Sequence, residues 1–188
     1  RAALDVARYP FPFAPVYVDL TELALKLAPP GSLDEGWLLS AYGRAIGSDR
    51  GDFAKGLEYQ RRAIEIAREH RDVSLEMWAL GRAATLHYAF RQLEEAIASA
   101  AAAMALAPRG GPEHAAVHTL FWDAMAHVSL GRLEQASARA DACLEVAEKT
   151  RAAFRLLQGL GAKAMVAGAR GDWEVALNLS DRMAALSA

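Results

Sequence analysis

The segment GRLEQA at residues 131–136 decides the fold, because three counterparts of it recur at one fixed spacing along the chain. Each segment begins 40 residues from the next, and each predicts a tight turn followed by the start of a helix. A period of this length is typical of solenoid proteins, in which one supersecondary unit is repeated and stacked. The counterparts are GDFAKG at 51–56, RQLEEA at 91–96 and GDWEVA at 171–176.

Two columns of small residues accompany the repeat. Helices approach to about 8–10 Å only where small side chains meet, and a bulky residue there costs roughly 1–3 kcal/mol. Each unit is therefore predicted to be a helix A, a tight turn and a helix B, whose small residues face each other. The column after the turn holds Gly56, Ala96, Ala136 and Ala176, and the column before it holds Ala84, Ala124 and Ala164. Gly43 is displaced by one residue from the second column, which predicts an insertion near Ser48–Arg50.

The repeat predicts an all-α chain, a right-handed α-solenoid of helical hairpins, since no segment shows sustained strand alternation. Four hairpins are expected at about 32–71, 72–111, 112–149 and 150–188. Their A helices are predicted near 33–48, 73–90, 112–130 and 151–169, and their B helices near 53–70, 93–107, 133–149 and 173–187.

Capping sequences support these boundaries. Ser32 is followed three residues later by Glu35, which is the spacing of a capping box. Pro112 suits the first turn of a helix, where its missing N–H removes no hydrogen bond. Further N-caps are expected at Asp52, Asp72, Thr150 and Asp172.

Residues 1–31 are interpreted as a partial repeat, mainly a B helix. Residues 1–8 fit the end of a helix, whereas the proline-rich run at 9–15 cannot be helical throughout. The chain begins with Arg and neither end supplies a capping repeat, so we expect a fragment of a longer array. A helical stripe that stops at residues 29–30 is predicted from Val16, Leu20, Leu23, Ala24 and Leu27.

Composition and charge exclude several classes of protein. The hydrophobic fraction of 53% is too high for a disordered chain. A net charge of −2 argues against a nucleic-acid partner, and the Ala-rich run at 100–107 is too short to cross a membrane. The single cysteine excludes a disulfide framework and fits a reducing, cytoplasmic location.

The second half of each unit resembles a tetratricopeptide repeat (TPR). The spacing of a turn, an apolar residue, small residues and a final proline in 91–108 is the one that this family shows. The first helix matches the family less well, and the period is longer than its usual 34 residues. The resemblance rests on Leu93, Ala96, Ala100, Ala103 and Pro108.

Units of about 40 residues with this B-helix signature resemble the superhelical repeat domain of MalT and related LuxR-type bacterial regulators. The resemblance implies a sensor or scaffold that binds an inducer or a partner protein and controls a neighbouring nucleotide-binding module. The chain has no G-x-x-x-x-G-K-[ST] loop, so nucleotide hydrolysis would belong to another domain. Since no nucleophile–base pair is visible either, the expected role is non-catalytic and needs no cofactor.

The A helices of such a solenoid line its concave face, where the repeat register places aromatic and methionine side chains. A groove of this kind suits a protein or peptide segment, or a small effector, because aromatic rings supply rigid contact area and methionine adapts. It lacks the Lys and Asn columns with which chaperone-binding TPR proteins grip a peptide carboxylate. Two alternatives stay open: these residues pack between repeats, or the array self-associates as a homodimer. The predicted groove residues are Trp37, Trp78, Tyr88, His118, Phe121, Met125 and Met165.

The other histidines and the cysteine have plainer interpretations. His114 and His118 have a zinc-binding spacing, but no third ligand converges on them, so no metal site is predicted. His87 and His127 occupy equivalent positions, and each is expected to hydrogen-bond within the helix stack. Cys143 falls in a small-residue column, which predicts a buried and inert thiol.

Overall fold

A computed structural model of the protein describes residues 15–187, and within that range nine α-helices follow one another without an intervening strand. The expectations for residues 1–14 lie outside the described residues. The helices are α1 (Pro15–Leu25), α2 (Leu33–Asp49), α3 (Phe53–Glu69), α4 (Val73–Ala89), α5 (Leu93–Met104), α6 (Glu113–Ser129), α7 (Leu133–Thr150), α8 (Ala153–Arg170) and α9 (Trp173–Ser187). A short 3-10 turn, Ala107–Arg109, follows α5 where the sequence predicted three more residues of helix.

The helices form two layers. Each A helix (α2, α4, α6 and α8) packs along the B helix that follows it and also against the A helix of an adjacent hairpin. The B helices (α3, α5, α7 and α9) make at most marginal contact with one another over the described range. Because the A helices touch and the B helices spread apart, the all-α solenoid curves with its A layer on the concave side. None of these helices is both long and apolar enough to cross a bilayer.

Small residues bring the two helices of the first three hairpins together, as the two columns predicted, whereas the fourth pair, Ala164 and Ala176, is only half-buried. An ideal Cβ atom on Gly56 would lie 2.8 Å from the Gly43 carbonyl oxygen and 2.9 Å from the Gly47 Cα atom. The backbones of α2 and α3 therefore meet at a distance that no side chain fits. In the next two hairpins the equivalent alanines are at most 1% exposed; they are Ala84, Ala96, Ala124 and Ala136.

A left-handed residue ends each A helix, and this explains the first position of the recurring segments. Gly51, Gly131 and Gly171 have φ values of 76°, 71° and 85°, and Arg91 has 63°. Glycine adopts this conformation without a steric penalty, whereas other residues lose roughly 1–2 kcal/mol. The turn geometry thus favours glycine at this position, and Arg91 is the exception.

The first of these turns contains the predicted insertion. In the later hairpins the amide after the left-handed residue donates to a carbonyl five residues back, as Gln92 N does to His87 O at 2.9 Å. Asp52 N instead donates to Ile46 O, six residues back, at 3.2 Å. One extra residue is therefore accommodated before Gly51.

The predicted caps are confirmed in part. Ser32 accepts a hydrogen bond from Glu35 N at 3.2 Å, and Asp52 and Asp72 cap α3 and α4 in the same way. Thr150 was wrongly predicted as an N-cap: α7 extends through it, and its hydroxyl donates to a carbonyl of its own helix at 2.7 Å. Pro112 lies immediately before α6 rather than in its first turn.

The apolar stripe predicted near the N-terminus is largely exposed, whereas two other residues of α1 are buried. Leu20, Leu23 and Leu27 are 37%, 57% and 78% exposed, whereas Val18 and Thr21 are buried. Val18 packs with residues of α2, so the helix is rotated relative to the predicted stripe. The choice of face depends on what covers the helix, and the apolar spacing alone did not determine it.

Gly56→Ala should lower the free energy of unfolding by about 1–3 kcal/mol, because its methyl group would collide with the backbone of α2. Gly161→Ala is the matched control, since its Cβ atom would meet Met183 Cε at 3.6 Å, an ordinary contact. This control should gain roughly 0.5–1 kcal/mol from better helix propensity. Urea unfolding followed by far-UV circular dichroism measures both, and equal stability of the two variants would contradict the predicted role of Gly56.

Candidate functional site

The concave face carries a cluster of half-buried aromatic side chains. The Trp122 ring lies 5.1 Å from the ring of Tyr88 and 5.1 Å from that of Phe121, centroid to centroid. Tyr88 comes from α4 and the other two from α6, so the contact joins two hairpins. On α8, Phe154 and Met165 are 55% and 50% exposed. These five residues of three A helices are named the aromatic wall.

The predicted groove residues lie at different depths. Tyr88 and Phe121 are half-buried and Met165 is exposed, so these three are accessible. The remaining four are packed between helices, as the structural alternative in the sequence analysis allowed. Their exposed fractions are 6% for Trp37, 3% for Trp78, 8% for His118 and 2% for Met125.

Trp78 lies beneath the aromatic wall and contacts two guanidinium groups. The Cζ atom of Arg82 is 5.1 Å from the Trp78 ring centroid, and that of Arg155 is 5.5 Å from it. The His118 ring is 5.5 Å from the same indole. Helices α4, α6 and α8 thus contribute one polar cluster inside the A layer, and guanidiniums over an indole are favourable cation–π contacts.

A buried hydrogen-bond network fixes Arg82. Its Nη1 atom donates to Ser40 Oγ at 3.0 Å, and Ser40 Oγ in turn donates to Gln60 Oε1 at 2.9 Å. Gln60 Nε2 donates to Ser40 O at 2.7 Å. Because all three side chains are almost fully buried, this network ties α2, α3 and α4 together and orients the guanidinium.

The charges in this cluster lower the pKa values of its basic groups. Burial and the neighbouring cations Arg44 and Arg155 lower the pKa of Arg82 to about 9. Burial lowers the pKa of Arg155 to about 10. Burial, with Arg155 and Arg82 adding repulsion, holds the pKa of His118 well below its ordinary 6.5. At neutral pH both guanidiniums are charged and the imidazole is neutral.

A second buried polar group lies at the other end of α6. Asp123 Oδ2 contacts Arg139 Nε at 2.9 Å, and its Oδ1 atom lies 3.4 Å from His127 Nε2. Burial raises the pKa of Asp123 and lowers that of His127. His87 Nδ1 donates a hydrogen bond to Gln92 Oε1 at 2.8 Å. His87 is therefore hydrogen-bonded, as expected, whereas His127 contacts Asp123 without forming a hydrogen bond.

Cys143 is buried, and the pair His114 and His118 is not joined by a third metal-ligating side chain among the described residues. The Cys143 thiol is fully buried and donates to Val117 O at 3.4 Å, and burial raises its pKa to about 12, so it is inert at neutral pH. Within residues 15–187 no three His, Cys, Asp or Glu side chains converge as metal ligands would.

The sequence analysis missed Arg82, Trp122, Phe154 and Arg155. The signal for the arginines was present: each interrupts an otherwise apolar stretch of an A helix, within 79–84 and 152–157. A charge in such a stretch is either snorkelling to solvent or held in a polar cluster. The repeat register did not bring them together, because they belong to different columns.

Known structures share this architecture. A Rap protein solved in complex with competence and sporulation factor is similar with a TM-score of 0.77 and 12% identity, over 92% of this chain and 47% of that one. The apo form of RapI is similar with a TM-score of 0.69 and 16% identity, over 91% of this chain and 47% of that one. Similarity also extends to a Podosopora anserina putative kinesin light chain protein with nearly identical TPR-like repeats. Its TM-score is 0.65 and its identity 14%, over 99% of this chain and 93% of that one. The fold is TPR-like.

The chain spans about half the length of the two Rap proteins that it matches. No family model matches its sequence, and no curated protein matches it at a significant level. The likeness is therefore one of fold, and function is argued from the concave face.

Acidification should destabilise the protein through His118. As the pH falls through 6.5 the unfolded chain takes up the proton while the folded imidazole stays neutral, so unfolding is favoured. The stability that this residue contributes is present above the ordinary pKa of histidine and is lost as the pH falls below it, at no more than about 1.4 kcal/mol per pH unit. Urea titrations at several pH values give the free energy of unfolding as a function of pH. This free energy should fall less steeply on acidification in His118→Gln than in wild type. His70→Gln, which alters an exposed imidazole, is the control, and an unchanged slope in His118→Gln would contradict the predicted titration.

Proposed function

We propose that this chain is a non-catalytic recognition module that binds a segment of a partner protein on its concave face. The observation that carries the proposal is the aromatic wall: rings from three A helices stand half-exposed on the concave side of a TPR-like array. Large rigid side chains in a concave surface are the usual anchors of recognition sites. A Rap protein, which has the same fold, has been solved with competence and sporulation factor bound.

The wider setting that we propose is a bacterial transcriptional regulator of the MalT and LuxR type, acting in signal transduction in the cytoplasm. The sequence resemblance of the 40-residue units supports this setting. A bound segment would favour one curvature of the array and so change its contacts with a neighbouring domain. A small-molecule effector is the variant of this proposal in which the aromatic wall holds a ring-shaped ligand instead.

Selection from a displayed library of random twelve-residue peptides tests the proposal, with affinities of the recovered peptides measured by fluorescence anisotropy. Phe121→Ala and Met165→Ala should each weaken binding at least tenfold, because each removes a contact from the aromatic wall. Leu177→Ala is the control, since this side chain is 66% exposed on α9, away from the wall. Circular dichroism must show native helicity in all three. Recovery of no peptide, or binding that neither wall variant weakens, would contradict the proposal.

Self-association is the second candidate function, and the apolar surface of α9 favours it. Trp173 and Leu177, which are four residues apart on one face of the helix, are 67% and 66% exposed there. Exposed apolar patches of this kind mark protein contact surfaces. Sedimentation velocity of the same variants separates the two candidates: a wild-type dimer that Leu177→Ala dissociates, without any effect of Phe121→Ala, would support self-association.

A further inference from the structure

Arg155 is a buried cation whose partners in the described chain are neutral. Its side chain is 4% exposed, its Nη1 atom donates to Gln158 Oε1 at 2.6 Å, and its Cζ atom lies 5.3 Å from the Phe154 ring centroid. No carboxylate of residues 18–186 pairs with it or perturbs its charge. Burying a guanidinium without an anion is unfavourable. No ion pair within the described residues offsets this cost for Arg155.

A second guanidinium strengthens the positive charge at the same place. Arg82 and Arg155 lie over one indole ring, that of Trp78, with each Cζ atom within 5.5 Å of its centroid. Their pKa values of about 9 and about 10 leave both charged at neutral pH. With the His118 ring 5.5 Å from the same indole, these buried groups form one electropositive cluster in the A layer, which is named the recess.

The recess lies next to the aromatic wall. Phe154 belongs to that wall, is 55% exposed, and its ring covers the Arg155 guanidinium. Rotation of an exposed side chain is fast, on the picosecond to nanosecond scale. A turn of the Phe154 ring would therefore uncover the guanidinium, and the neutral amide of Gln158 is the group that an anion would displace.

We propose that this recess is an anion subsite, in which a carboxylate of an acidic partner segment replaces Gln158 on the Arg155 guanidinium. The inference rests on the proposed function and adds the chemistry of the partner: Asp or Glu side chains beside apolar residues that contact the aromatic wall. The planar guanidinium presents paired N–H donors that match both oxygens of a carboxylate. Arg82 contributes charge from the far side of the recess.

The test compares two fluorescein-labelled twelve-residue peptides of glycine, leucine and either glutamate or glutamine, by fluorescence anisotropy. Wild type should bind the glutamate peptide at least tenfold more tightly than the glutamine peptide, because only a carboxylate pairs with the buried cation. Arg155→Gln should abolish that preference, and Arg155→Lys should restore part of it. Arg61→Gln removes the same charge from an exposed position on α3 and should leave the preference intact.

A measurement on the wild-type protein covers the case in which Arg155→Gln does not fold. NMR titration of the His118 ring should show its pKa rising when the glutamate peptide is bound, because the carboxylate offsets the repulsion from the two guanidiniums. An unchanged His118 titration in the saturated complex would overturn the anion subsite.

The other outcomes distinguish failure of the anion subsite from failure of the proposed function. Equal binding of both peptides, weakened by Phe121→Ala, would overturn the subsite and leave the proposed function standing. Absence of glutamate-peptide binding, or equal loss of preference in Arg61→Gln, would also overturn the subsite. Displacement of the glutamate peptide by stoichiometric acetate or inorganic phosphate would identify a free anion as the ligand and overturn the protein-segment assignment.

Discussion

The close approach of the two helices in each hairpin is the constraint on which the rest of the structure depends. It is possible only because glycine or alanine occupies both sides of the crossing, as Gly43 and Gly56 do in the first hairpin. A larger side chain at this point would separate the two helices. The next A helix would then lose the surface of the hairpin against which it packs. With the crossing intact, every A helix touches two hairpins, and the array curves toward the A layer.

That curvature concentrates unusual side chains on the concave side. Aromatic rings of α4, α6 and α8 belong to the A layer, and two guanidiniums of that layer lie over Trp78. An interior built only for stability would place apolar groups there, since a buried charge is a poor source of stability. A surface with rigid rings in front and positive charge behind is instead well suited to an apolar segment that carries an acidic side chain, as we propose.

The sequence predicted the helices well and the site less well, for a physical reason. Small residues and turn glycines act locally, so a 40-residue period located the hairpins, and even the extra residue before Gly51 followed from the displacement of Gly43. The cluster around Trp78 arises because Arg155 of α8 reaches past α6 to a ring on α4, and no column contains both Arg82 and Arg155. Burial likewise depends on neighbouring helices, which is why Trp37 and Met125 proved to be packed inside and why α1 buries Val18 while it exposes Leu23.

Native-state hydrogen exchange of Ala136→Leu tests the central claim most directly, because the bulky side chain would wedge apart the crossing of α6 and α7. In a stacked array each hairpin contacts only its neighbours. The account predicts faster amide exchange in residues 113–170 and nearly unchanged exchange in 33–69. Equal acceleration throughout 33–187 would indicate one global core, and no acceleration anywhere would show that the crossing tolerates a large side chain; either result would contradict the account.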